Sequence, residues 1–133
     1  MSIVSDFVAE LRSIPALVVL GNRTFPLIDR SHQLPSLVYN SRGLARESYV
    51  QGSFGLRETF IQMDVYSNSY AELDTLRDAI ISHFNGFTGN FNSSAMDGGT
   101  FVSSCQIVNT RELVDGQNDL VYRAVIEINI LSE

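Results

Sequence analysis

Few side chains in this sequence have the type and spacing that chemistry requires. Asp29 and His32 are three residues apart in IDRSHQ and could supply two ligands of a metal ion, but no third ligand follows at a supporting spacing. A polar loop is the favoured interpretation. His83 falls at the predicted end of a helix, where an imidazolium would meet the helix dipole favourably. Asp74 can pair with Arg77 on the same helix, so a solvated helix face is favoured over a site.

The remaining chemical candidates fail on residue type. Cys105 is the one cysteine, which excludes an internal disulfide and a thiolate-rich metal site. Its neighbours give it no basic group to lower the thiol pKa, and we expect it to be half-buried filler. All nine basic residues are Arg, which removes Schiff-base, lysine-nucleophile and phosphate-loop chemistry. The sequence therefore predicts no catalytic residue, no cofactor and no metal site.

Composition indicates one compact, soluble domain. The chain has 133 residues, of which 44% are hydrophobic and 18% charged, enough apolar material for a core of its own. We therefore predict a single domain over residues 1–133. The formal charge of −6 argues against the basic surface that neutralises phosphates in a nucleic-acid-binding protein. Free DNA is not an expected ligand.

The start of the chain favours a protein made in the cytoplasm. The opening MSIVSDFVAELRSIP includes Asp6 and has no basic stretch ahead of an apolar run, unlike a secretion signal. The longest apolar run, ALVVL at Ala16 to Leu20, is far shorter than the roughly 20 residues that cross a bilayer. No membrane association is expected.

The first part of the sequence predicts one helix and two strands. Apolar residues recur at every fourth position from Ile3 to Arg12, with Asp6 and Glu10 off that face, and Pro15 would end this helix. A short strand is predicted in RTFPLID and a longer one in LPSLVYNSRGLARESYV. The two glycines of QGSFG, at 51–55, predict a turn into the next strand.

The segment Leu56 to Phe84 predicts a strand that runs directly into a helix. Apolar residues alternate with Gln62 and Asp64, as in a sheet with one solvated face, so Asp64 is expected to be solvated. Ser69 and Glu72 have the spacing of a capping box at the start of the helix. The apolar stripe of this helix is Leu73, Leu76, Ile80 and Phe84.

The last part of the sequence predicts a long loop and a hairpin. The segment from Asn85 to Gly99, NGFTGNFNSSAMDGG, is rich in Gly, Asn and Ser and has no period, which indicates a loop. Two strands, TFVSSCQIVNTREL and DLVYRAVIEINIL, are predicted to pair around Asp115 and Gly116. The whole order predicts an α+β fold, an antiparallel or mixed β-sheet of about five strands with two helices packed on one side.

The central part of the sequence resembles a known family. LPSLVYNSRG, a short glycine turn and GLRETFIQMDVYSNSYAELDTLRDAI are similar to the core of the tail-completion or tail-terminator proteins of long-tailed bacteriophages and related gene-transfer particles. The similarity spans roughly Thr24 to Phe87. The residues that carry it are Leu34, Pro35, Val38 and Tyr39 in the first strand motif, Gln62, Asp64 and Tyr66 in the second, and Tyr70, Ala71 and Glu72 at the helix start.

The resemblance implies a non-enzymatic structural protein of the virion. It would form a homo-oligomeric ring, commonly a hexamer, at the head-proximal end of the bacteriophage tail. There it would terminate tail-tube assembly and join tail to head. Its partners would be further copies, the tail tube protein and head-tail connector proteins, while genomic DNA passes through the ring without specific binding. A head-side neck or adaptor protein is the alternative, and a small enzyme a remote one.

The segment from Asn85 to Gly99 is the candidate contact surface of such a subunit. Its composition cannot build a core alone, yet it carries Phe87, Phe91 and Met96. Apolar side chains in a polar segment are favoured where a partner can bury them. We therefore expect these three residues to contact a neighbouring copy, the tube or the connector rather than the subunit's own core.

Overall fold

The protein folds as one mixed β-sheet with helices packed on one face. The computed structural model describes residues 3–21, 23–26, 33–48, 56–115 and 121–132. Its strands are β1 (Thr24–Pro26), β2 (Ser36–Ser48), β3 (Leu56–Ser67), β4 (Gly89–Phe91), β5 (Thr100–Asp115) and β6 (Val121–Ser132). Across the sheet they lie in the order β1-β2-β3-β6-β5-β4. Neighbouring strands are antiparallel except β1 and β2, which are parallel.

Three helical segments accompany this sheet in the described chain. They are α1 (Ile3–Arg12), a 3₁₀ helix (Pro15–Leu20) and α2 (Tyr70–Phe84). The predicted bounds of α1 are confirmed, and the apolar run after Pro15 forms the 3₁₀ helix, with Leu17 and Leu20 buried. None of these helices has the length and apolar character needed to cross a membrane.

The core lies between the helices and one face of the sheet. On β3, Ile61, Met63 and Val65 are at most 1% exposed, whereas Gln62 and Asp64 point to the other face. The predicted apolar stripe of α2 is completely buried against this face. On β6, the matching core residues are Ala124, Ile126, Ile128 and Ile130. Period-2 alternation and the helical stripe therefore predicted both layers correctly.

The junction between β3 and α2 contains the predicted helix cap in a modified form. Ser69 Oγ accepts the backbone N–H of Glu72 at 3.3 Å, as expected. The Glu72 carboxylate does not return to the Ser69 backbone. It accepts the hydroxyl of Ser67 at 2.7 Å, and that hydroxyl oxygen accepts the N–H of Ser69 at 3.0 Å. Ser67, the last residue of β3, thus completes the helix cap, so the strand leads directly into the helix.

The α+β class is confirmed, and the strand count differs from the prediction. The sixth strand, β4, lies in the segment that the composition predicted to be a loop. Gly89, Asn90 and Phe91 pair with the start of β5. A strand of three residues is too short to show a period, so its composition alone indicated a loop.

The predicted hairpin of β5 and β6 is confirmed, because the two strands pair up to Asp115 opposite Val121. Its turn around Gly116 lies outside the described residues. The same is true of the glycine turn at 51–55 and of the Asp29 and His32 pair.

Candidate functional site

The described part of the chain brings together no group that could bind a metal. No three His, Cys, Asp or Glu side chains within the described ranges are close enough to hold an ion. Several acids and bases in these ranges instead make contacts that connect elements of the fold.

His83 and Glu10 connect the two α-helices. Nε2 of His83 lies 2.7 Å from Oε2 of Glu10. The other carboxylate oxygen of Glu10 accepts the backbone N–H of Asn92 at 3.0 Å. His83 lies in the last turn of α2, as predicted, and the partner of its ring nitrogen is a carboxylate of α1.

Asp6 is buried, which corrects the prediction that it lies off the apolar face of α1. Asp6 is only 1% exposed. Oδ1 accepts the side-chain amide of Asn92 at 3.2 Å, and Oδ2 accepts the hydroxyl of Thr100. Buried carboxylates require such donors. Sequence periodicity missed this contact because the donors lie 86 and 94 residues away.

Asp64 is paired rather than simply solvated. Nη2 of Arg123 on β6 donates to Oδ2 of Asp64 at 2.9 Å, and Nε2 of Gln62 donates to Oδ1 at 3.1 Å. The guanidinium carbon of Arg123 lies 5.7 Å from the ring centroid of Tyr66. The Gln-x-Asp-x-Tyr motif therefore forms one cluster around Arg123, on the sheet face opposite the helices. A structural role explains this motif.

Arg77 attaches α2 to the far part of β5. Its predicted pair with Asp74 is present, but the guanidinium also contacts Glu112 on β5. Glu112 in turn accepts the hydroxyl of Tyr70 at 2.8 Å. The Arg77 side chain is only 16% exposed. The expected solvated helix face is thus an inter-element contact at this point.

Cys105 is more deeply buried than predicted. It lies in the core at 1% exposure. Burial disfavours the thiolate and raises the pKa of the Cys105 thiol from 9.0 to about 12. The thiol is therefore neutral at physiological pH and unsuited to nucleophilic chemistry.

The candidate contact segment separates into an anchored part and an exposed part. Phe91 is completely buried, with its ring centroid 5.8 Å from that of Phe7 and 5.7 Å from that of Phe84. The prediction that Phe91 contacts a partner is wrong, because the aromatic residues of α1 and α2 already enclose it. Phe87 is half-buried against the same core, 5.1 Å from Phe91. Met96 is fully exposed and stays a candidate.

Met96 lies in a hydrogen-bonded turn. The N–H of Ala95 donates to the carbonyl of Asn92 at 3.0 Å, and the N–H of Gly98 donates to the carbonyl of Ala95 at 2.9 Å. Asp97 Oδ1 accepts the N–H of Gly99 at 3.0 Å. Gly99 has φ of 78°, and a Cβ there would lie 1.8 Å from the Phe91 carbonyl oxygen. This turn presents Met96 on a defined backbone.

Two apolar hollows accompany the 3₁₀ helix. One of about 200 Å³ is lined mainly by Leu11, Leu17, Val18 and Leu20. Another of about 340 Å³ lies between the 3₁₀ helix and α2, with Glu72 as its one charged lining residue. A catalytic pocket needs several convergent polar groups. Neither hollow provides them.

A second exposed feature is the outer edge of β5. Strand β4 covers only Thr100 to Val102 of this edge. The turn after α2 covers the next part, because the N–H of Gly86 donates to the carbonyl of Cys105 at 2.8 Å and Asn85 Oδ1 accepts the N–H of Ile107 at 3.3 Å. Beyond that point no described residue pairs with the outer side of β5. The side chains of residues 109–114 are exposed.

Comparison with known proteins identifies the fold. No family model matches the sequence, and no curated protein matches it. Among solved structures, the chain is similar to a chain of the virion of a native gene transfer agent particle, with a TM-score of 0.65 and 8% sequence identity. The similarity covers 99% of this chain and 92% of that chain. At this identity the similarity shows a shared fold, and the shared fold spans nearly the whole of both chains.

Proposed function

We propose that this protein is a non-enzymatic structural component of a virion. In this proposal it forms a ring, of six copies, at the head-proximal end of the tail, where it terminates the tail tube and joins the tail to the head connector. The observation that carries the proposal is the fold shared with a chain of a gene transfer agent virion over nearly the full length of both chains. The tail-terminator resemblance of the segment from Thr24 to Phe87 supports the same class of particle.

The distribution of side chains also supports an assembly role. The chemically capable residues described above, Asp6, Glu10, Asp64, Arg77 and His83, make contacts between elements of the fold. The exposed features of the described chain include a strand edge and a turn that carries Met96. Such features are typical of surfaces that other chains cover. A ring needs two different patches on each subunit. The outer edge of β5 can supply one of them, and the Met96 turn is a further exposed segment that can contact the tube or the connector.

The net charge supports a passage for DNA rather than a binding site for it. The chain has a formal charge of −6, and a ring that DNA must slide through cannot hold phosphates with clustered Arg side chains. The proposed partners are therefore further copies, the tail tube protein and the connector proteins, with genomic DNA passing without specific binding.

Removal of the gene from the particle that encodes it tests the proposal. Loss of a tail terminator should leave filled heads together with unattached or overlong tails in electron micrographs. Loss of a head-side neck or adaptor protein should instead leave tails of normal length and heads that fail to attach. A map of the assembled particle would then locate the protein, and density against the portal rather than on the tail tube would contradict the terminator role. Normal infectious particles without the gene would reject both roles.

A further inference from the structure

The β5 edge, defined as residues Asn109–Asp115, has no strand on its outer side within the described chain. Natural edges are protected by charged side chains, especially Lys, by Pro, by β-bulges, by short strands or by covering segments. The register shift of β5 lies at the start of this edge, between Ile107 and Asn109. This edge contains neither Lys nor Pro. It exposes Leu113 at 39% and Val114 at 58%. Within the described chain, β4 and the turn after α2 cover β5 only as far as Ile107.

The outward backbone groups of the β5 edge follow from the sheet register. The N–H of Ile107 points away from β6, because it donates to Asn85. Ile107 lies opposite Ile128, and in an antiparallel ladder the orientation repeats at every second residue. Ile126 therefore has the same orientation as Ile128. Thr110 lies opposite Ile126, Glu112 opposite Ala124 and Val114 opposite Tyr122. The N–H groups of Thr110, Glu112 and Val114 therefore point away from β6, like that of Ile107.

A complementary edge lies at the other side of the sheet. Within the described ranges, strand β1 pairs with β2 along Leu37 to Tyr39. The N–H of Leu37 points outward, because it donates to the carbonyl of Arg23 at 2.9 Å. The same alternation directs the backbone groups of Ser41 outward. The β2 edge, defined as residues Asn40–Ser48, has no strand on its outer side within the described ranges.

The two edges have compatible direction and charge. Strands β2, β3, β6 and β5 are successively antiparallel, so the β2 and β5 edges run in opposite directions. A rotation that relates neighbouring copies about an axis parallel to the strands leaves the direction of every strand unchanged. The β5 strand of one copy therefore meets the β2 strand of the next copy in antiparallel orientation. The β5 edge contains one Arg and two acidic residues, and the β2 edge contains two Arg and one Glu.

We propose that the β5 edge of one copy pairs with the β2 edge of a second copy, so that the sheet continues from subunit to subunit. Main-chain hydrogen bonds supply the association in such strand addition. The two patches differ, so the contact is heterologous and can close a ring. This inference deepens the proposed ring function and rests on it for the biological setting.

Two substitutions on the β5 edge test the pairing with the purified full chain. Thr110→Pro removes an outward N–H without removing a bond to β6, because Pro is tolerated where the N–H faces out of the sheet. Val114→Lys adds an edge-blocking charge without a backbone change. Val18→Lys is the matched control, because Val18 is 80% exposed on the 3₁₀ helix. Light scattering over a concentration series measures the mass, and circular dichroism measures folding.

We expect an oligomer from the wild type and from Val18→Lys, and a folded monomer from both edge variants. If Thr110→Pro unfolds, Val114→Lys decides the outcome. Edge variants that fold and assemble like the wild type would overturn the proposal. A wild-type chain that stays monomeric at every concentration would overturn it as well.

Hydrogen exchange identifies the partner edge. Peptides that cover 109–115 and 40–48 should both exchange more slowly in the wild-type oligomer than in the Val114→Lys monomer. Slow exchange in 109–115 alone would indicate pairing of two β5 edges and would overturn the assignment of β2. Failure here, with density for the protein still found at the tail end of the particle, would reject the pairing and leave the proposed function intact.

Discussion

The carboxylate of Asp6, near the start of the chain, accepts a hydrogen bond at 3.2 Å from the side-chain amide of Asn92. The same carboxylate accepts the hydroxyl of Thr100. Together with the bond from the Asn92 backbone to Glu10, these contacts fasten the first helix to both ends of the Met96 turn. The geometry of that exposed turn thus depends on a buried acid of α1.

Asp6→Ala should therefore destabilise the protein by about 1–3 kcal/mol, because it leaves partly buried donors of Asn92 and Thr100 without this acceptor. Chemical denaturation measures the loss. Asp78→Ala is the matched control, because the Asp78 side chain is 64% exposed, and it should change stability by no more than about 0.5 kcal/mol. A double-mutant cycle with Thr100→Val should show coupling between Asp6 and Thr100. Equal losses for Asp6→Ala and Asp78→Ala would contradict this assignment.

Substitutions on the two faces of α2 should differ strongly in their effects. Leu76 is 1% exposed, so Leu76→Asp would bury an unpaired charge and should unfold the subunit. The Asp74 side chain is 46% exposed, and Arg77 keeps Glu112 as a partner without it. Asp74→Ala should change stability by no more than about 0.5 kcal/mol. Similar melting temperatures for the two variants would show that the faces are assigned wrongly.

The elements that the sequence predicted well are those whose signal is local. The stripe of α2 repeats within one helix, and the alternation of β3 repeats within one strand, so burial on each follows from spacing alone. The cap at Ser69 is also local, because its acceptor and donor are three residues apart. These features placed the core and the sheet faces without knowledge of the rest of the chain.

The features that the sequence did not reveal depend on residues distant in the chain. Asp6 is buried because of donors that only the folded turn brings to it. Arg77 reaches Glu112 because β5 passes beside α2. Phe91 is a core residue because Phe7 and Phe84 surround it, although its own segment has the composition of a loop. The outer edge of β5, uncovered within the described chain, likewise follows only from the strand order.

Cys105 should resist thiol reagents in the folded protein. Its pKa is raised to about 12 by burial, so at pH 8 alkylation should proceed only on unfolding, when the thiol regains an ordinary pKa. The folded state retains the proton longer than the unfolded state. The contribution of the neutral Cys105 thiol to stability is therefore fully present below pH 9.0 and is lost as the pH rises toward about 12. Rapid labelling at pH 8 without denaturant would contradict this prediction.

The segment Asn85 to Gly99 should be necessary for the stability of the subunit, because it contains the buried Phe91. Phe91→Ala would open a cavity among Phe7, Phe84 and Phe87 and should cost about 3–5 kcal/mol. Removal of the whole segment would remove Phe91 and β4 with it, so it should unfold the subunit. Thermal melting of the purified variants measures both effects. A Phe91→Ala variant as stable as the wild type would show that this ring is not part of the core.

Met96→Ser tests whether the exposed turn is a contact surface. Met96 is fully exposed and its turn is fastened by Asp6 and Glu10, so the substitution should change the subunit's stability by no more than about 0.5 kcal/mol. A partner that buries Met96 would lose apolar contact area. Under the proposed function, the joining of tails to heads should then fall. Ser93→Ala in the same turn is the matched control and should leave joining unchanged. Electron microscopy and infectious yield of particles that carry each variant provide the measurement. A normal yield from Met96→Ser particles would show that Met96 is not a partner contact.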